Sequence, residues 1–391
     1  MDVFYKTHKY LVEHINMPIR RGLMDEFDPK SRLIAVKGYR GVGKTSLLLS
    51  FAKENFHPAD KRCLYINLNN FYFTKHTIRD FAKDFIMKGG QVLLIDQIFK
   101  YPEWWKELSF CYENFHELKI IIASSSVISF DNPTYDLDGK VDVYHLRGFS
   151  FREFLEISTG FRFKPLSLNE ILDNHQEIAA SVCAKVKPLA YIEDYLHHGF
   201  YPFFLEKKNF SENLLKTANM MLEVDLLTIN QMEKTYLPKI RKLLYLLALQ
   251  NNKTINISQL SEEISISRNT VMNYIKYLKD ARLVNLLYPE EDILKKKPSK
   301  LYVHNPNLLQ VMRRPESCMQ LIRETFFYNQ IYPYPVHSAG NKAHFLVDRT
   351  HLFNVGERIL GKFNPEIYYT ISDIEMGERK IIPLWLFGFL Y

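Results

Sequence analysis

The chain has 391 residues, a formal net charge of +7, hydrophobic residues at 47% and aromatic residues at 14% of its positions. Because a domain typically takes ~100–200 residues, this length predicts several domains, and the apolar content excludes extensive disorder. The four cysteines form no CxxC pair and the N-terminus has no signal-peptide pattern, so we expect a cytoplasmic protein without a zinc site or a disulfide framework.

The first motif along the chain is a glycine-rich loop between an apolar strand, residues 33–36, and a helical run, residues 46–52. The loop satisfies the pattern GxxxxGK[ST] with Gly38, Tyr39, Arg40, Gly41, Val42, Gly43, Lys44, Thr45 and Ser46. In this context backbone N–H groups and the helix N-terminus surround phosphate oxygens, Lys44 reaches the β- and γ-phosphates, and Thr45 places its hydroxyl on Mg²⁺. A chance glycine-rich turn is the alternative. Because strand and helix are both in register, the loop predicts a site for ATP and Mg²⁺.

A parallel sheet is predicted around this loop. Further apolar runs follow at α/β spacing over residues 64–66, 92–95, 120–123 and 143–146. Asp96 ends the second of these runs, as in a Walker B strand, and its carboxylate is placed to hold Mg²⁺ directly or through water. With one strand between the loop and Asp96, the arrangement resembles the AAA-like branch of P-loop ATPases.

Three sequence blocks make the resemblance more specific. They are IDQIFKYPEW at residues 95–104, HLRGFSFREFL at 145–155 and YLHHGFYP at 195–202. They resemble the blocks hhhDEhxxxPxW, LxPhSFxEFL and YLxxGGxP of a widespread family of prokaryotic AAA ATPases whose C-terminal domain is related to restriction nucleases. The resemblance spans nearly the whole chain and implies an α/β fold: an AAA-like P-loop parallel sheet with a helical extension, a winged helix-turn-helix and a small α+β nuclease-like domain. The expected domains are 1–160 (ATPase), 161–235 (helical lid or linker), 236–310 (winged helix) and 311–391 (nuclease-like).

Four residues are candidates for hydrolysis chemistry. The family has Glu after the Walker B Asp, but this chain has Gln97, and an amide cannot accept a proton from the attacking water. Some GTPases orient water with a glutamine, so Gln97 does not exclude turnover. Ser124 lies where the AAA-like branch has a polar sensor, with strand-end capping as the alternative. Arg147 and Arg152 are candidate arginine fingers, or they pair with nearby carboxylates. We expect ATP binding with slow hydrolysis or none.

The basic residues are concentrated in the middle of the chain. Residues 231–300 contain thirteen Lys and Arg against seven Asp and Glu, a net of +6. Residues 238–303 read as a winged helix-turn-helix, in which Ser258 and Ser267 cap the second and third helices. In the third helix the core stripe is Val271, Tyr274, Ile275 and Leu278, at spacing i, i+3, i+4, i+7.

Duplex DNA is the partner that this charge favours, because basic side chains neutralise phosphates. The candidate DNA contacts on the third helix and the following basic wing are Arg268, Asn269, Asn273, Lys276, Lys295, Lys296 and Lys297. The alternative is that the module packs against the ATPase or a protein partner, that the asparagines are ordinary exposed polar residues, and that the lysines form a solvated loop.

From Leu321 onward the chain resembles the nuclease-like domain of the same family. In that fold carboxylates hold the metal that activates water, but His344 stands in place of Asp and Asn354 in place of Glu. Glu324 is the acid that remains at these positions, and Mg²⁺ prefers several oxygen ligands with carboxylates among them. His344 suggests either a different metal or a structural histidine. We expect a nuclease-like fold without nuclease activity. The closing apolar run, residues 381–391, is too short for a bilayer and predicts a buried final strand.

Two functions from different classes follow from these features. The first is a nucleotide-controlled, DNA-associated switch with slow hydrolysis. The second is a non-catalytic ATP-binding scaffold that uses the winged helix and the C-terminal domain for protein interactions. No membrane partner is expected. A homo-oligomer or a protein partner is compatible with both functions, because an arginine finger acting in trans needs a neighbouring subunit.

Overall fold

The computed structural model describes residues 1–206, 208–226, 233–250, 255–290 and 298–391. The chain divides into two compact units, Met1–Gly148 and Phe149–Tyr391. The four predicted domains are a finer division than this, and they stay a prediction.

The N-terminal unit contains a five-stranded parallel sheet. Its strands are β1 (Leu33–Gly38), β2 (Cys63–Asn67), β3 (Val92–Asp96), β4 (Lys119–Ser125) and β5 (Asp142–His145). The order across the sheet is β2-β3-β4-β1-β5, and each neighbouring pair is parallel. The predicted strands are therefore confirmed. The central strands are almost continuous runs of Leu, Ile, Val and Ala that are fully buried, as expected of a parallel sheet covered on both faces.

Four helices accompany this sheet: α1 (Asp2–His14), α2 (Lys44–Asn55), α3 (Ile78–Met87) and α4 (Trp104–Asn114). The first packs on β2, and a cluster of aromatic rings lies beside it, formed by Phe4, Tyr72, Phe73 and Phe81. Thr77 is the N-cap of α3. Its side chain accepts a hydrogen bond from the N–H of Asp80 and so satisfies one free donor of the first turn.

One histidine of α1 is buried against the sheet. His8 is 1% exposed, and its Nδ1 accepts the backbone N–H of Tyr65 at 2.9 Å. That contact requires an unprotonated Nδ1, and burial lowers the pKa of His8 from its ordinary 6.5 to about 4.

The buried imidazole makes stability depend on pH. Because the folded-state pKa lies below the unfolded one, the unfolded chain takes up this proton first, and stability falls as the pH drops from about 6.5 towards 4. We expect wild type to lose about 1–1.5 kcal/mol of unfolding free energy between about pH 7.5 and pH 5.5 that His8→Asn does not lose. Urea titrations across that range measure the difference, and parallel pH profiles for the two proteins would contradict it.

The second unit begins with helices. They are α5 (Phe151–Thr159), α6 (Leu168–Cys183), α7 (Leu189–Asp194) and α8 (Phe210–Met220). Ser150 with Glu153 and Ser167 with Glu170 form capping boxes at the starts of α5 and α6, in which each serine and glutamate satisfies a backbone N–H of the other residue. π-helical turns follow α7 and α8, over Tyr195–Gly199 and Met221–Leu226.

Three helices and a hairpin follow. They are α9 (Leu237–Leu249), α10 (Ile257–Ile264), α11 (Arg268–Asp280), and the antiparallel strands β6 (Val284–Leu287) and β7 (Lys300–Val303). Ser267 caps α11 as predicted. The cap of α10 is Asn256, whose side chain accepts the N–H of Gln259, so the prediction of Ser258 was wrong by two residues. The apolar stripe predicted for α11 is buried.

The remainder is an α+β segment. It contains α12 (Pro306–Met312), α13 (Met319–Gln330) and the strands β8 (Val336–Ser338), β9 (Phe345–Val347), β10 (His351–Gly356), β11 (Ile367–Ile371) and β12 (Ile381–Pro383), arranged in the order β12-β11-β10-β9-β8. The predicted final strand is shorter than expected, because residues after Pro383 turn into a buried 3₁₀ helix, Leu384–Phe389, that contacts α13. In the described ranges, no helix has the length and hydropathy that crossing a bilayer requires.

Candidate nucleotide-binding site

The glycine-rich loop joins the end of β1 to the start of α2, as its motif predicts. Gly41 and Gly43 have φ values of 87° and 92°, a left-handed conformation that strongly favours glycine. Gly38 is required for a different reason, since a Cβ atom there would lie 2.7 Å from the carbonyl oxygen of Leu146. The glycines therefore permit a tight backbone loop at the N-terminus of a helix, which is where a phosphate binds most favourably.

Lys44 is folded back onto the loop. Its Nζ donates to the carbonyl oxygens of Gly38 at 2.7 Å and Tyr39 at 2.8 Å. The side chains of Tyr39 and Val42 are buried, whereas Arg40 and Ser46 are partly exposed. The ammonium group is thus held over the loop by backbone acceptors, a position from which it can exchange those carbonyls for phosphate oxygens.

The two predicted magnesium ligands are in direct contact. Thr45 Oγ1 donates to Asp96 Oδ2 at 2.6 Å, and Asp96 is 2% exposed at the end of β3. The backbone N–H of Gln97 donates to Asp96 Oδ1 at 2.8 Å, which fixes the carboxylate. A hydroxyl and a carboxylate fit the oxygen ligands that Mg²⁺ prefers. Within the described parts of the chain no group of three His, Cys, Asp or Glu side chains could hold a metal, so nucleotide oxygens and water would complete the shell.

Tyr65 belongs to this cluster and was not predicted. Its hydroxyl donates to Asp96 Oδ2 at 2.9 Å, the same oxygen that Thr45 contacts. Burial, together with the nearby Asp96 carboxylate, raises the pKa of Tyr65 well above its ordinary value, so the phenol stays a neutral donor. The sequence feature that could have indicated this contact is the hydroxyl group of Tyr65, which lies in an otherwise apolar run just before Asn67. Asn67 is the residue that pairs with Asp96 in the sheet.

The candidate catalytic residues lie at the ends of strands, where the loop also lies. Gln97 follows β3 with φ 58° and ψ 39°, an unusual conformation for a residue with a side chain. Ser124 is fully buried near the end of β4, paired with Lys37 of β1, and its Oγ donates to the Ser125 carbonyl at 3.4 Å. Arg147 follows β5 and is partly buried. Their catalytic roles stay predictions.

Arg152, the other candidate finger, is held within the second unit. Its guanidinium donates to the carbonyl oxygens of Tyr391 at 3.0 Å and Phe163 at 3.1 Å. It also lies 3.9 Å from the carboxylate of Glu156. These contacts favour the alternative in which Arg152 is a structural residue paired with a carboxylate.

The predicted DNA contacts of the third helix lie together on α11. Arg268, Asn269, Asn273 and Lys276 are exposed. Asn269, Asn273 and Lys276 lie on the side opposite the buried stripe, and Arg268 is the first residue of the helix. Lys295, Lys296 and Lys297, the predicted basic wing, lie outside the described residues. Contact of either set with DNA stays a prediction.

The three positions that the sequence predicts to correspond to nuclease ligands are close in space, and that correspondence stays a prediction. The backbone N–H of His344 donates to Asn354 Oδ1 at 3.1 Å, and His344 Nδ1 lies 3.8 Å from Glu324 Oε1. Glu324 is 2% exposed, and its two oxygens accept hydrogen bonds from Tyr302 Oη and Gln320 Nε2, each at 2.8 Å. Burial lowers the pKa of His344. Both carboxylate oxygens of Glu324 therefore already accept hydrogen bonds from protein side chains.

Two family models match separate parts of this chain. Residues 30–155 match a model described as an AAA domain, and residues 189–317 match one described as a domain of unknown function (DUF8612). An uncharacterized protein of Methanocaldococcus jannaschii is 25% identical over 283 residues. That match covers 68% of this chain, and the chain spans 59% of that protein's length.

Two solved structures show partial similarity to this chain. A RuvB variant of Thermotoga maritima aligns over 78% of this chain and 91% of its own, with 14% identity and a TM-score of 0.30. PCH-2 of C. elegans aligns over 72% of this chain and 66% of its own, with 13% identity and a TM-score of 0.24. The AAA match covers the glycine-rich loop, Asp96 and all five strands, whose order places β4 between β1 and β3. The N-terminal unit therefore has an AAA-type P-loop fold.

Proposed function

We propose that the N-terminal unit binds ATP with Mg²⁺ and acts as a nucleotide-controlled switch. The observation that carries this proposal is the contact between Thr45 and Asp96 at the end of the loop, with Lys44 poised above the same loop. These are the three side chains that phosphate and Mg²⁺ recognition needs, and the fold brings them together from β3 and the start of α2.

We propose the following roles for the loop and the residues that contact it. Backbone N–H groups of residues 38–46 would surround the phosphates, and Lys44 would supply the positive charge. Bound Mg²⁺ would neutralise phosphate charge, held by Thr45 and Asp96. Tyr65 keeps the Asp96 carboxylate oriented by donating to it.

Hydrolysis is proposed to be slow. Gln97 occupies the position of the general base, and an amide can orient a water but cannot accept its proton. Ser124 and Arg147 are the proposed sensor and finger; Ser124 lies near the end of β4, and Arg147 follows β5 by two residues. An arginine acting from a neighbouring subunit would also serve, which makes a homo-oligomer part of the proposal.

DNA is the proposed partner of residues 238–303, the predicted winged helix-turn-helix in which the basic residues are concentrated. Three helices followed by the antiparallel pair β6 and β7 are the elements that a winged helix-turn-helix requires, in the required order. The exposed residues of α11 include the cations Arg268 and Lys276 and the amides Asn269 and Asn273, which is the composition of a groove-reading surface.

The alternative function is an ATP-binding scaffold, and one observation favours it. Glu262 and Glu263 are exposed on α10, the helix that precedes the proposed reading helix, and acidic side chains repel DNA phosphates. In both functions we propose that the C-terminal segment does not cleave DNA, because His344 and Asn354 stand where the resembling family has carboxylates and Glu324 is the acid that remains at these positions.

Duplex binding across a salt series distinguishes the two functions. We expect wild-type affinity to fall steeply with salt, with a slope of about −0.9 per phosphate contact. Arg268→Ala and Asn273→Ala should change which sequences bind best, by about 1–3 kcal/mol of discrimination, because both residues are exposed on the proposed reading helix. The readout is filter binding with a panel of duplexes.

Arg162→Ala is the matched control, since Arg162 is an exposed arginine of the same unit that pairs with Glu156. It should leave both the salt slope and the sequence preference unchanged. Absence of wild-type binding at low salt would support the scaffold. If both α11 variants bind DNA with the sequence preference of wild type, this helix does not contact the bases.

A further inference from the structure

The glycine-rich loop is tied to the last residues of the N-terminal unit. The hydroxyl of Tyr39, a residue that is 5% exposed, accepts the backbone N–H of Gly148 at 3.1 Å. The strand before the loop meets the same segment, because the N–H of Leu146 donates to the Lys37 carbonyl at 2.8 Å. Gly38 has no Cβ to separate the two, as the close approach to the Leu146 carbonyl shows.

A buried arginine makes a second connection between the same two segments. Arg21 is 6% exposed, and its Nη1 donates to the carbonyl of Val42, inside the loop, at 3.4 Å. Its Nη2 donates to the carbonyls of Arg147 at 2.8 Å and Gly148 at 3.4 Å. The guanidinium is planar and rigid, so its two ends cannot move independently. Movement of the loop carbonyl therefore displaces the residues that follow β5, and the reverse also holds.

The connection ends at the boundary between the two units in the chain. Gly148 is the last residue of the N-terminal unit, and Phe149 begins the second. We propose that Arg21 and Tyr39 are positioning residues that transmit nucleotide occupancy of the loop to this junction. Nucleotide bound at the loop orders residues 39–43, and the two hydrogen-bonded links extend that order to residues 146–148. The inference rests on the proposed ATP binding.

Hydrogen exchange of the peptide that contains Gly148 tests the proposal. Each protein is measured without nucleotide and with Mg·ATP at a concentration that its own titration shows to be saturating. We expect Mg·ATP to slow exchange at this peptide in wild type by about five-fold, the factor that corresponds to one net hydrogen bond. In Arg21→Ala the ATP-dependent slowing should disappear. Arg20→Ala is the matched control, because Arg20 is the neighbouring arginine in the sequence, is exposed, and pairs with Asp25 and Glu54.

A merely structural role for Arg21 would give a different result. Exchange would then be faster in Arg21→Ala, but by the same factor with and without Mg·ATP, and this outcome would overturn the proposal. Tyr39→Phe, which removes only the hydroxyl, gives the same test if Arg21→Ala does not fold, and its ATP-dependent slowing should also be reduced. A wild type that binds ATP with no change at Gly148 refutes the inference alone, whereas a wild type that binds no ATP refutes the proposed function.

Discussion

Replacing Lys44 with alanine is expected to weaken ATP binding by at least about 100-fold. Lys44 begins α2, and its Nζ lies within 2.8 Å of two loop carbonyls, so it brings a positive charge directly to the loop. Charge-assisted hydrogen bonds are worth about 1.5–3 kcal/mol each, and losing two of them accounts for that factor. Titration with a fluorescent ATP analogue measures the dissociation constants.

The control for this variant lies on the same helix. Lys53→Ala removes an exposed lysine near the end of α2 whose Nζ also donates to a backbone carbonyl, that of Ile15 at 2.8 Å. It should bind ATP as wild type does. A far-ultraviolet circular dichroism spectrum verifies that Lys44→Ala is folded. If the folded Lys44→Ala protein binds ATP with wild-type affinity, the loop is not a nucleotide site.

The central sheet was predictable because its signals are local. Each buried parallel strand is a short apolar run, and the glycine-rich loop fixes which strand precedes a helix N-terminus. Thr45 and Asp96 are far apart in sequence, yet their contact follows from two motifs, one of which places Thr45 at the start of the helix after β1 and the other Asp96 at the carboxyl end of β3. Where a motif specifies both the residue type and its position in the fold, the sequence is sufficient.

Tyr65 and Arg21 were not predictable in the same way. The role of Tyr65 depends on the sheet register, which pairs Asn67 with Asp96 and brings the phenol within reach of the carboxylate. Arg21 lies before the first strand in a segment with no periodicity, and its carbonyl partners come from two distant segments. Contacts of this kind arise from tertiary packing, so no spacing rule in one sequence encodes them.

Element ends were also less predictable than element types. Asn256 and Ser258 are both good N-cap residues, and only the backbone shows that the Asn256 side chain accepts the free N–H of Gln259. The closing apolar run has the composition of a strand. Its proline precedes a change of conformation, and packing against α13 stabilises a 3₁₀ helix in place of further strand.

Gln97→Glu is expected to raise ATP turnover by about 100-fold or more. The substitution keeps the size of the side chain and leaves the left-handed backbone at this position unchanged, so its effect is chemical. A carboxylate beside Asp96 restores a group that accepts the proton of the attacking water, and general-base catalysis contributes typically ~10²–10⁴ in rate. Steady-state phosphate release at saturating Mg·ATP measures the change in kcat.

Two variants separate the chemistry from the added charge. Gln91→Glu introduces the same charge at an exposed residue just before β3, and it should leave turnover unchanged. Gln97→Ala removes both the amide and the carboxylate, and it should not exceed the wild-type rate. If Gln97→Glu binds ATP normally but turns over no faster, proton transfer at this position does not limit the reaction. Either residue 97 does not face the attacking water, or the absence of an arginine finger limits the step.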